Sequence, residues 1–145
     1  MTAEKFLVVD DEHISRIGTA WTLREFGFIV DEADSGTAAL ELIKTTRYSI
    51  IFMDLNMPGM GGFECSGKIR AWEKEARSMA QKSVIIALSS SLGSDIKAQS
   101  SRAGMNDYLE KSATKEQLKA LIDKYRHEVV HPQNPRSTPT NLPRL

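Results

Sequence analysis

The sequence predicts an α/β fold: a doubly wound, five-stranded parallel sheet flanked by five helices. Three observations carry this reading. Short, continuously apolar runs rich in branched residues recur along the chain, as strands buried on both faces require. Helical periodicity fills the gaps between them and supplies the crossovers that parallel neighbours need. Glycines then punctuate the pattern, with Gly27 and Gly104 placed where helices must stop.

Taken in order, FLVV at 6–9 reads as the first strand. Residues 13–26 form the first helix, which places Ile14, Ile17 and Trp21, with Leu23 and Phe26, along one side before Gly27 ends it. FIVDEA at 28–33 is a weaker second strand. DSGTAALELIKTT opens on the capping residues Asp34 and Ser35 and repeats Ala38 and Leu42 at helical spacing. YSIIFM at 48–53 is the third strand, followed by a helix from 63 to about 77. VIIAL at 84–88 is the fourth strand, 94–102 the next helix, and DYLE at 107–110 the fifth strand. The last helix, about 114–126, is expected to bury Leu118, Leu121, Ile122 and Tyr125. From 127 to 145 the character changes: four of the five prolines fall there and apolar periodicity fades, which reads as a disordered extension or linker after a domain spanning 1–126.

Bulk properties exclude several classes of function. Nineteen basic residues balance nineteen acidic ones, so no global field draws the chain to nucleic acid or to an anionic membrane. One cysteine, Cys65, rules out an intrachain disulfide and a cysteine-rich zinc site, and suits a reducing compartment. No stretch approaches the roughly 18 apolar residues of a membrane span. The chain runs from MTAEKFLVV straight into a strand-like segment with no leader-like pattern, so the expectation is a cytoplasmic protein whose function rests on a local site.

In doubly wound sheets, ligand sites lie beyond the carboxyl ends of the strands. There the first strand ends in Asp10 and Asp11, the third in Asp54, the fourth in Ser89, and the fifth is followed by Lys111. Singly, most have ordinary readings: Asp10 or Asp11 as a helix cap, Ser89 as the start of a polar loop, Lys111 as a surface lysine. Asp54 is harder to dismiss, because IIFMDLNMPG drops a carboxylate directly after a strand buried on both faces. Jointly, packed carboxylates with a backbone carbonyl make the hard, oxygen-rich site that suits Mg2+, which relieves their mutual repulsion.

VVDDE, MDLNMPG, ALSS and YLEKS, in this order and spacing, resemble the receiver domain of two-component response regulators, over about residues 4–126. The resemblance implies a phosphoryl switch. Asp54 is then the nucleophile, phosphorylated from a histidine kinase or a histidine phosphotransfer protein. Asp11 and Asp54 bind Mg2+ directly with the backbone carbonyl of Asn56, Asp10 helps through water, and Lys111 pairs with the phosphoryl oxygens. Ser89 and Tyr108 become the switch pair, the hydroxyl drawn to the phosphoryl group and the ring turning after it. The chain catalyses only its own phosphorylation and dephosphorylation, and a phosphorylation-dependent homodimer is left open.

Some positions depart from the family pattern. Ser112 stands where a proline usually follows the lysine, so that bond is either trans or held in a strained cis turn. Ser89 replaces a more frequent threonine, with Ser90 the neighbouring alternative, and Gly61 replaces an aspartate in MPGMGG. The segment AWEKEARSMAQKSV at 71–84 is longer than in minimal receivers and is similar to those of hybrid sensor kinases. A stand-alone regulator, a relay intermediate and a piece of a larger protein all remain open.

Three other classes compete. An aspartyl phosphatase of the haloacid dehalogenase kind wants a second aspartate where Asn56 stands. A non-phosphorylated interaction module would have lost one of the site residues. A flavodoxin-type flavin binder wants a phosphate-cradling loop where DDEH is acidic.

Overall fold

The structure, a computed structural model, describes residues 4–76, 82–91 and 93–130, of which 127–130 are described by backbone alone. Strands and helices alternate throughout: β1 (Lys5–Val9), α1 (His13–Glu25), β2 (Ile29–Ala33), α2 (Gly36–Thr45), β3 (Ile50–Asp54), α3 (Gly62–Ala76), β4 (Val84–Ser89), α4 (Ile96–Arg102), β5 (Asp107–Glu110) and α5 (Lys115–Val130). All strand pairs are parallel, in the order β2-β1-β3-β4-β5. The doubly wound sheet of the sequence reading is thus present, with β1, β3 and β4 as its interior strands.

That order decides where a site forms. The chain moves outward from β1 to β2 and then crosses back to β3, so the crevice between β1 and β3 is the switch point of the sheet. With right-handed crossovers, α1 covers one face and α2, α3 and α4 the other. Alternation along the strands follows. Leu7, Val9, Ile51, Met53, Ile85 and Ala87 join a core with Ala39, Ile43, Cys65 and Ile69 of α2 and α3. On the opposite face Phe6 stacks on Phe28 at 4.3 Å and meets Phe52 edge-on at 6.0 Å.

Helix α1 corrects the sequence reading. The side marked by Ile14, Ile17 and Trp21 is its outer one: these residues are 86%, 40% and 65% exposed, whereas Ala20 and Leu23 are fully buried. The inward side runs through Arg16, Ala20 and Leu23. Arg16 belongs there because its guanidinium reaches past the sheet edge to donate to the Asp10 carbonyl at 3.0 Å and to Glu32 Oε1 at 3.1 Å. An apolar stripe therefore does not mark the face that packs when a long cationic side chain can bury its stem and bond its head.

The other elements need smaller adjustments. Ser35, not Asp34, caps α2 by accepting from the Ala38 amide at 3.0 Å. The deepest side of α2 is Gly36, Ala39 and Ile43, with Ala38 and Leu42 half-buried against the same core. Gly27 and Gly104 take φ of 100° and 88°, left-handed turns that stop α1 and follow α4.

The chain divides into compact units at Ala113 and Thr114, and α5 belongs to the second. Along α5, Leu118, Ile122 and Tyr125 are buried and Leu121 partly so. The helix runs on to Val130, past the expected end at Arg126, because the first breaker after it is Pro132. The Pro-rich stretch beyond Val130, and residues 77–81 of the long α3–β4 connection, lie outside the described residues.

Candidate functional site

The carboxyl ends of β1 and β3 deliver two acids into the crevice. Asp10 is fully buried and Asp54 is 1% exposed. Each is fixed by the turn that follows it. The Asp10 Oδ1 atom accepts from the Glu12 amide at 2.9 Å, and Asp54 Oδ1 accepts from the Asn56 amide at 3.2 Å. Asp11 stands exposed beside them, and one oxygen from each of Asp10, Asp11 and Asp54 falls within a 4.8 Å cluster.

Lys111 arrives from the end of β5. Its Nζ lies 3.2 Å from Asp10 Oδ2, 3.3 Å from Asp54 Oδ1 and 3.4 Å from Glu12 Oε1. Its own amide donates to the Ser89 carbonyl at 2.8 Å, which ties the lysine backbone to the end of β4. The Lys111–Ser112 peptide is trans, the first of the two geometries left open by the missing proline.

One ammonium does not balance these acids, and their proton affinities diverge. Burial works to raise the pKa of Asp10, but hydrogen bonds from Ser15, the Glu12 amide and Lys111 outweigh it and hold it below the usual carboxylate value. For Asp54 burial dominates; the Asn56 amide and Lys111 oppose it, the Asp10 charge adds to it, and the carboxyl is pushed up to about 7. Burial acts to lower the pKa of Lys111, but the two aspartates raise it, so the ammonium holds its proton.

The donor set fits a hard divalent cation. Asp54 Oδ2 is buried with no hydrogen-bond partner, an uncompensated carboxylate oxygen beside two further carboxylates. A divalent cation would satisfy this oxygen and offset the repulsion together.

Several contributors were not singled out in the sequence. The Ser15 hydroxyl donates to Asp10 Oδ2 at 2.6 Å. Its only sequence signal is its place in the first turn of a helix that starts beyond an acidic strand end. Arg16 holds the Asp10 carbonyl, and Glu32 receives both Arg16 and Arg24. Gly62 is more specific: a Cβ there would lie 2.4 Å from the Asp54 carbonyl oxygen and 2.9 Å from Leu55 Cα. The α3 start therefore presses directly against the backbone that carries Asp54. At Gly61, a Cβ would meet only the Leu55 carbonyl, at 3.3 Å.

Ser89 is buried at the end of β4 and Ser90 is exposed, as the strand register predicts. The Ser89 hydroxyl donates to the Ser91 carbonyl at 2.5 Å, within its own loop. Tyr108, paired in register with Ala87, is half-buried against the core. His13 is exposed with its ring Nδ1 3.1 Å from Arg16. Cys65 is buried, and burial pushes its thiol up to about 11, which makes it inert packing.

A parallel sheet with acids at its switch point and a lysine from the last strand defines a phosphoryl-accepting receiver. The chain belongs to the response regulator receiver domain family, whose description matches residues 6–123. Members of this family receive a phosphoryl group on an aspartate with Mg2+, in two-component and hybrid-kinase relays, and are not enzymes in the ordinary sense. The chain is 36% identical over 124 residues to hybrid signal transduction histidine kinase L of Dictyostelium discoideum, covering 83% of this chain and 7% of that protein. It is 32% identical over 133 residues to the sensor histidine kinase GacS of Pseudomonas protegens, covering 92% of this chain and 14% of that protein. The chain therefore spans a small part of the length of these relatives.

Among solved structures, the receiver domain of the histidine kinase CKI1 from Arabidopsis thaliana, complexed with Mg2+ and BeF3-, is similar with a TM-score of 0.72 and 33% identity, over 85% of this chain and 89% of that one. The chemotaxis protein CheY4 of Vibrio cholerae gives a TM-score of 0.77 at 27% identity, over 86% and 99%. Among the described residues, no helix is long and apolar enough to cross a membrane.

Proposed function

We propose that this chain accepts a phosphoryl group on Asp54 from a phosphohistidine of a histidine kinase or a histidine phosphotransfer protein. The observation that carries the assignment is the unpartnered, buried Oδ2 of Asp54 beside Lys111 and two further carboxylates. An Asp54 oxygen attacks phosphorus, the nitrogen–phosphorus bond breaks, and its electron pair stays on the departing imidazole. The product is an acyl phosphate on this chain, formed without turnover of an external substrate.

Asp10, Asp11, Asp54 and the Asn56 carbonyl would hold Mg2+, which when bound neutralises the packed carboxylates and the phosphoryl oxygens. The chain's own groups do the rest. Lys111, already between Asp10 and Asp54, offers its ammonium to a phosphoryl oxygen as charge moves outward in a loose transition state. Ser15 and the Glu12 amide keep Asp10 ionised and in place. Ser89 exchanges its bond to the Ser91 carbonyl for a phosphoryl oxygen, and Tyr108 follows the loop.

The exposed stripe Ile14, Ile17 and Trp21 supports the choice of donor. It begins directly after the acidic loop, so an apolar helix seated on it brings a phosphohistidine next to Asp54.

The test is intact mass after incubation with acetyl phosphate and Mg2+. Gain of one phosphoryl group, lost in Asp54→Asn and with EDTA, supports the reading. Folded protein that gains none, even with a phosphohistidine donor, overturns it.

A further inference from the structure

The peptide that joins Asp10 to Asp11 carries two acids of the crevice on one rigid unit. Because that unit is planar, fixing its carbonyl oxygen fixes both Cα atoms and the direction in which each side chain leaves them. We propose that Arg16 is a positioning residue for the Mg2+ site: by holding the Asp10 carbonyl it sets this peptide plane and thereby aims Asp11. The inference rests on the reading of Asp10, Asp11 and Asp54 as the carboxylates that hold the cation.

The two acids differ in what else restrains them. Asp10 donates its amide to the Ala33 carbonyl at 3.1 Å, and its carboxylate accepts from the Glu12 amide and the Ser15 hydroxyl. Asp11 is exposed, and its carboxylate makes no hydrogen bond or ion pair with another described residue. Its place in the 4.8 Å cluster therefore depends on the backbone that carries it. Arg16 Nη1 bonds that backbone at its centre, donating to the Asp10 carbonyl oxygen at 3.0 Å.

The guanidinium is itself held from two sides. Its side chain is 14% exposed, so its charge needs a partner, and Glu32 Oε1 supplies one 3.1 Å from Nε. Glu32 is anchored in turn, with Oε2 3.2 Å from Arg24 Nη1. On the outer side Arg16 Nη2 lies 3.1 Å from His13 Nδ1. A planar fork can span Glu32 and the Asp10 carbonyl in one fixed geometry, whereas a lysine brings the charge without the fork.

The sign of the effect separates positioning from charge. Arg16 is a cation beside a cation site, so loss of its charge alone would tighten Mg2+ binding. Loss of its grip on the peptide frees Asp11 and weakens binding.

The test is calorimetric titration of Mg2+ into the full chain and into Arg16→Met, Arg16→Lys and Arg70→Met. Arg70 is the matched control: it donates to the Gly104 and Ser83 carbonyls, both at 2.8 Å, at the far end of the sheet. Affinity is expected to fall by about tenfold in Arg16→Met and by a similar factor in Arg16→Lys, the loss typical when a group that orients a metal ligand is removed. Arg70→Met should lower the melting temperature yet change affinity by less than about twofold. With acetyl phosphate, the Mg2+ concentration at half-maximal rate should rise in step with the loss of affinity. Arg16→Lys keeps the charge opposite Glu32, so it decides the matter if Arg16→Met does not fold. Unchanged or tighter binding in the Arg16 variants, full rescue by lysine, or an equal loss in Arg70→Met would overturn the inference. Wild-type chain that binds Mg2+ but gains no phosphoryl group would overturn the functional reading instead, and the binding series would still decide the role of Arg16.

Discussion

Lys111 Nζ lies 3.3 Å from Asp54 Oδ1, and the same ammonium lies 3.2 Å from Asp10 Oδ2. One cation from the last strand therefore compensates two acids from the first and third. If the ammonium also stabilises the transferring group, Lys111→Met slows phosphorylation from acetyl phosphate by about 100-fold, the loss typical of one transition-state donor. Mg2+ affinity, read by titration calorimetry, does not fall, because a competing cation has been removed. An unchanged rate would exclude Lys111 from the chemistry.

The raised pKa of Asp54 gives a pH dependence with a definite sign. The folded protein binds this proton more tightly than the unfolded chain, so stability of the metal-free protein falls as pH rises from about 3.8 to about 7 and is level above that. The depressed pKa of Asp10 acts below 3.8, outside that window. Thermal melts across the range are expected to show the decline, and Asp54→Asn or millimolar Mg2+ to abolish it. At pH 8, Asp54→Asn should be more stable by about 1–3 kcal/mol.

Gly62 and Gly61 should behave differently despite being neighbours. Gly62→Ala forces a methyl into the backbone of Asp54 and Leu55, costing about 1–3 kcal/mol and displacing the nucleophile. Gly61→Ala meets a single backbone oxygen at 3.3 Å and costs less, about 1 kcal/mol or below. Denaturant melts of both, with phosphorylation rates, check the contrast. Equal losses would mean that the close approach at Gly62 does not support the site.

Removing Ser15 tests the support beneath Asp10. Ser15→Ala loses a 2.6 Å bond to a buried carboxylate and is expected to cost about 1.5–3 kcal/mol. Because that bond favours the ionised acid, the onset of acid unfolding should move to higher pH.

The α1 stripe separates donors. Ile14→Ser with Trp21→Ser leaves stability within about 0.5 kcal/mol, since both residues face outward. Phosphorylation by acetyl phosphate is expected to be unchanged and transfer from a phosphohistidine protein to fall by about tenfold. Equal transfer rates would remove α1 from the docking face.

Much of this molecule was legible in its sequence because the signals are local. Apolar runs of strand length, helical spacing between them and stop glycines define five β/α repeats, and connection rules leave few ways to arrange them. The same rules put Asp10, Asp11, Asp54 and Lys111 on one edge, since each stands at or just past the end of a strand. What tertiary structure alone decided depends on three-dimensional approach. Periodicity located an apolar stripe on α1 but not which way it faces, because Arg16 takes the inward side by bonding the Asp10 carbonyl. Ser15 became a partner of Asp10, and Gly62 a contact of the Asp54 backbone, only when helix ends met strand ends. Side-chain type and spacing report what a residue can do, whereas distance and burial determine which groups it does it to.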